Sequence, residues 1–130
     1  MEADMHGVAR IFFLSSLFFG LAGLVLGNVM AATQDHGQLP THAHTMVIGW
    51  VSFALFGLFY HQFPAAASGL LAKVHVAVAE ASLSVLLVGL FIHYGGNDAI
   101  EPLLGVAAIV YALSFALFAF IAARAVCAKS

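Results

Sequence analysis

Residues 103–126 read LLGVAAIVYALSFALFAFIAARAV, and the only charge in them, Arg124, falls two places from the end. Once helical, such a stretch covers about 36 Å, enough to cross the ~30 Å hydrocarbon core of a bilayer. Lipid offers the backbone no hydrogen bonds, and strand alternation is absent, so a helix is the expected form. Working outward from it, three more apolar stretches are found, at about 8–31, 44–60 and 70–94. The second is the shortest, and its histidine-bearing ends are expected near the interfaces. Turn signals separate the four: Gln34-Asp35-His36-Gly37 to Pro40, Pro64 to Gly69, and Gly95-Gly96-Asn97-Asp98 to Pro102. Connections this short make neighbouring helices antiparallel. The expected fold is all-α, a single four-span transmembrane bundle over 1–130, with no second domain.

Composition agrees. Of the 130 residues, 63% are hydrophobic and only 8% charged, against roughly 25% charged in a soluble domain. Four Lys/Arg and six Asp/Glu cannot cover a soluble surface of this size. A nucleic-acid binder would need a basic face, which is missing. A lone Cys127 excludes an internal disulfide framework and any Cys-rich metal site, and the absence of C-x-x-C-H excludes covalent c-type haem.

Arg10 precedes the first span, Lys73 opens the third, and Arg124 and Lys129 end the chain, so all cations fall on one side of a four-span arrangement. The positive-inside rule then puts both termini in the cytoplasm, with Asp35, His36, Asp98 and Glu101 on the opposite face. The first span reads as a retained helix and not a signal peptide. Its head sets Glu2 and Asp4 against one Arg, and its apolar core exceeds the ~7–15 residues of a signal. Gly20, Gly23 and Gly27 form a small-residue seam on it, and Ala77 and Ala81 a smaller one on the third span. Such seams let helices approach closely, either inside the bundle or between copies.

Seven histidines are an excess for so apolar a chain. His6 and His36 are expected in solvent. His42, His44 and His93 mark the outer end; His61 and His75 lie toward the inner end. Each alone is accounted for as an interfacial side chain. His44 and His61, or His75 and His93, are too far apart for one ion, at about 25 Å or more along a helix. His42 and His44 are different. Two positions apart on a helix, their rings point about 200° apart and cannot share one metal, but they can serve two opposite sides of one helix. Haem iron takes axial imidazoles, and porphyrin needs an apolar slot. Trp50 is a candidate for packing against such a cofactor, with Tyr60, Tyr94 and Tyr111 as interface anchors or packing. Near the midpoint of the third span lies Glu80, where an ionised carboxylate costs several kcal/mol unless paired. It is expected in its neutral form, hydrogen-bonded to Ser52 or Ser114, as a structural group, a proton carrier or a ligand contact. No nucleophile–base pair, phosphate loop or paired-carboxylate site is present.

The stretch from His42 to Pro64, with its H-A-H…G-W core, resembles the second helix of the catalytic subunit of heme-copper oxidases and nitric oxide reductases. More closely, the chain looks like the small four-helix membrane proteins related to that subunit. Leu71 through Leu90 is similar to the family's third helix. The likeness spans roughly residues 11–125, and its specific part is the short H-A-H…G-W core. The resemblance implies that His44 is an axial ligand of a non-covalent haem b. In the family, twelve helices form three four-helix arcs, and an H-x-H pair serves two haems on opposite faces. By analogy this chain forms one arc of a homotrimer, with His42 of one protomer and His44 of its neighbour as the axial pair. His93 is the rival second ligand and His75 a weaker one. The copper-binding histidines are missing, so oxygen or nitric oxide reduction is not implied. The expected function is therefore an inner-membrane haem b protein for electron transfer or haem and gas sensing, with a respiratory-chain redox partner and no catalytic residues. Copper or zinc at the histidines is a variant of this reading. One alternative is a small oligomeric proton-coupled transporter or channel using Glu80; another is a cofactor-free partner of a larger respiratory complex.

Overall fold

The structure, a computed structural model, describes residues 4–128; Glu2 and Lys129, both counted in the charge argument, lie outside them. Four helices are long and apolar enough to cross a membrane: α1 (Gly7–Thr33), α2 (Leu39–Gln62), α3 (Leu70–Tyr94) and α4 (Glu101–Cys127). The described residues include no strand. Successive helices are antiparallel. Gly20, Gly23 and Gly27 of α1 face Trp50, Met46 and His42 of α2 in reverse order. Gln38 at the start of α2 reaches the carbonyl of Phe91 at the end of α3. Gly89 of α3 faces Leu104 and Ile100 at the start of the last helix. The end carrying the start of α1 and the end of α4 is here the inner end, and the other the outer end; Arg10, Lys73 and Arg124 all lie at the inner end.

The helix boundaries follow local chemistry. α1 stops at Gln34, whose φ of 58° is left-handed. Asp35 Oδ1 accepts the Gly37 N–H at 3.0 Å and closes the turn. α2 starts at Leu39, five residues before the expected His44. Pro40 occupies the first turn, where a missing N–H costs nothing, so it opens the helix instead of ending the loop. The second span is thus 24 residues long. Gly96 takes φ 105°, a conformation that favours glycine, and Asn97 Oδ1 accepts the Ala99 N–H to start the approach to α4. Pro102 lies in the first turn of α4.

α2 is not a regular α-helix. Residues Thr45–Val51 form a π-helical segment, in which the Ser52 N–H bonds to the carbonyl of Val47, five residues back. Thr45 Oγ1 donates to the Thr41 carbonyl at 2.7 Å, and Ser52 Oγ to the Val47 carbonyl at 2.9 Å. Side-chain hydroxyls thereby take part in the backbone pairing at both ends of the widened turn. π-segments cost helix regularity and concentrate at functional sites.

The core is packed chiefly by aromatic rings toward the inner half. Phe12, Phe53, Phe56 and Tyr60 are almost wholly enclosed, with Ala72, Ala79 and Leu83 of α3 completing the layer. Phe12 meets Phe53 edge-on at 5.0 Å between centroids. The periphery is the reverse of a soluble protein. Phe18, Leu70 and Leu113 are each about two-thirds or more exposed, the pattern expected where lipid, not water, is the surrounding medium. α4 buries only Ala107, Tyr111, Ser114 and Ile121, a single stripe.

The glycine seam is filled from within the chain. A Cβ at Gly20 would lie 3.0 Å from the Trp50 ring, and one at Gly27 2.8 Å from His42 Cε1. The seam therefore seats α2 and leaves no room there for a second copy.

Candidate functional site

At the outer end, α2 carries His42 and His44 on different sides. His42 is half-buried against α1, and its Nδ1 is 2.8 Å from the Gly23 carbonyl. His44 is exposed, and its Nδ1 is 2.7 Å from the carbonyl of Pro40, one helical turn earlier. A carbonyl oxygen can only accept, so Nδ1 carries a proton in both rings, and in the neutral imidazole the lone pair is on Nε2. A carbonyl-anchored Nδ1–H is the usual support of a histidine that ligates a metal through Nε2, because it sets tautomer and ring orientation together.

Below His44 runs an exposed stripe on the same face of α2: Val47, Val51, Leu55 and Leu58. It gives an uncharged, apolar surface on the helix that carries the exposed imidazole. Its residue types suit a porphyrin, whose faces want apolar contact and whose iron wants nitrogen. Trp50 is not on this surface. It is half-buried, with its ring seated on Gly20 of α1.

His93 and His75 are differently employed. His93 lies at the outer end of α3, beside two carboxylates: Nδ1 is 3.3 Å from Asp98 Oδ1 and Nε2 3.9 Å from Glu101 Oε1. Its ring is engaged by these two carboxylates. His75 is not interfacial at all. It is 0% exposed, and Nδ1 is 2.8 Å from the Tyr60 hydroxyl. Phe12, Phe56 and Phe118 surround it with ring centroids 4.8–5.2 Å away. Its Nε2 is buried without a partner. No flat cofactor can reach that nitrogen through three aromatic rings. His6, His36 and His61 are exposed.

Glu80 is held by a residue that sequence reading did not choose. Its Oε1 accepts a 2.6 Å hydrogen bond from Ser15 of α1. The two expected partners are occupied elsewhere: Ser52 with Val47, and Ser114 with the Tyr111 carbonyl at 2.7 Å. α1 and α3 are not neighbours in sequence, so their register is invisible before folding. The Tyr60–His75 pair was nearer to hand. The two flank the α2–α3 connection, and an antiparallel hairpin brings such positions together. Glu80, Ser15 and Ser84 line a cleft of about 420 Å³ with Leu14, Phe18 and Phe19.

No protein-family model, no curated protein and no solved structure matches this chain.

Proposed function

We propose that this chain is a haem b-binding protein of the inner membrane, working in electron transfer or in haem and gas sensing as a homotrimer with both termini in the cytoplasm. The observation that carries the reading is His44, an exposed outer-end imidazole whose proton is committed to the Pro40 carbonyl and whose Nε2 lone pair faces away from its own backbone partner. The apolar stripe of Val47, Val51, Leu55 and Leu58 supports it by supplying a wall that excludes water. In this reading His44 binds iron from one protomer, and the family analogy gives His42 of a neighbouring copy as the other ligand, which requires that ring to swing out of its Gly27 notch. When bound, haem supplies a reversible one-electron couple; two imidazoles leave iron no open position, so turnover on a small gas is disfavoured. The chain's part is to orient the ligands and keep the site dry. His93, turned to Asp98 and Glu101, is the weaker second ligand.

The test is an absorption spectrum of the detergent-purified chain, oxidised and reduced, after expression with ample haem supply. A Soret peak with a sharp reduced α-band is expected, and it is lost in His44→Ala. A colourless wild-type protein rejects the reading, and so does His44→Ala with full haem occupancy.

A second reading, proton-coupled transport, is favoured by one observation. Glu80 lies mid-span and borders a cleft on the outside of the bundle, lined by Ser15, Ser84 and Phe18. It requires flux that Glu80→Gln abolishes; survival of flux in that variant removes its basis.

A further inference from the structure

The outer end of the α3–α4 hairpin holds a second constellation, one that the His44–His42 haem pair does not use. One nitrogen of His93 and one oxygen each of Asp98 and Glu101 lie within 4.8 Å of one another. We propose that His93, Asp98 and Glu101 bind a divalent transition-metal ion of the zinc class.

The helix ends explain how the three come together. His93 is in the last turn of α3, where the dipole favours a basic group, and Glu101 opens α4, where it favours a carboxylate. The dipoles do not explain the geometry. Asp98 Oδ1 is only 3.3 Å from His93 Nδ1, yet Nδ1 is shielded from solvent and makes no hydrogen bond. The two atoms stand side by side instead of one donating to the other. A separation of about 3.3 Å is the edge of a tetrahedron whose centre lies ~2.0–2.1 Å from each corner, the length of zinc bonds to histidine and carboxylate. Glu101, 65% exposed on a flexible stem and now nearest Nε2 at 3.9 Å, has to turn toward the Nδ1 side to close a third corner, and water takes the fourth. The charge also asks for a cation. Among the described residues no Lys or Arg lies at the outer end, so two carboxylates face one imidazole without a positive partner. Mixed nitrogen and oxygen donors favour zinc over magnesium, which demands an octahedron of oxygens.

Equilibrium titration of the whole, chelator-stripped chain in detergent with Zn²⁺ alone tests this, with Mg²⁺ as competitor. One Zn²⁺ per chain is expected in the wild type and in His44→Ala. His93→Ala and Asp98→Asn each weaken it by about tenfold or more, as loss of a ligand costs at least what loss of its support does. Mg²⁺ does not compete. Asp98 is 84% exposed, so its asparagine variant keeps the test open should His93→Ala fail to fold. The site is overturned if the wild type takes up no zinc, if the asparagine variant keeps wild-type affinity, or if His44→Ala loses it. Zinc bound in a haem-free preparation leaves this site standing while the haem reading falls.

Discussion

The Nδ1–H of His44 donates to the carbonyl of Pro40 across 2.7 Å, one helical turn back along α2. The bond closes over the helix start, where Pro40 occupies the first turn, and it leaves Nε2 as the only lone pair the ring can offer. His44→Met keeps a soft outward ligand but abandons that support. If iron is bound there, the variant retains colour with a shifted reduction potential. His61→Ala, at the opposite end of the helix, leaves spectrum and potential unchanged. Redox titration followed by absorbance checks both, and an unshifted potential in His44→Met counts against ligation by His44.

The Tyr60–His75 hydrogen bond lies within a shell of aromatic rings. Tyr60→Phe strips the last partner from a fully enclosed imidazole and is expected to destabilise the fold by about 1–3 kcal/mol, the cost of an unsatisfied buried polar group. Replacing both residues by apolar rings, Tyr60→Phe with His75→Phe, costs less than the sum of the single changes. Unfolding in mixed detergent–SDS micelles measures the cycle. Additive effects would mean that the two side chains act independently.

Ser15 and Glu80 join helices that the connectivity leaves far apart. Hydrogen bonds between membrane helices average ~0.6 kcal/mol and reach ~1.7 kcal/mol. A double-mutant cycle of Ser15→Ala and Glu80→Ala is expected to give a coupling in that range, by the same unfolding measurement. Zero coupling would mean that the bond contributes nothing to stability.

The glycines rank by what an added methyl would strike. At Gly57 it meets backbone, the Ala9 carbonyl oxygen and the Phe13 nitrogen, both at 3.0 Å. Backbone cannot rotate aside, so Gly57→Ala must separate α1 from α2, at a cost of ~1–3 kcal/mol. At Gly23 it meets the Met46 side chain, which is flexible, so Gly23→Ala costs less. At Gly105 nothing lies within 4 Å, and Gly105→Ala is expected to be neutral or slightly stabilising. SDS unfolding midpoints of the three variants test the order.

Four membrane-length helices were legible in the sequence, because hydropathy and length are properties of a single segment and need no knowledge of its neighbours. The charge asymmetry and the H-A-H pair were legible for the same reason, and helical geometry alone separates those two rings. What each ring does once separated depended on folding. Only packing seated His42 on the Gly27 notch and turned His44 outward, and only packing enclosed His75 among Phe12, Phe56 and Phe118. The start of α2 was misplaced by five residues because Pro40 reads equally as a loop or as a first turn, and the backbone pairing that follows decides which. The partner of Glu80 was hidden for a stronger reason. Depth along a span can be estimated from sequence, but rotation about its axis and choice of neighbour arise from the interlocking of side chains across helices, which no single segment contains.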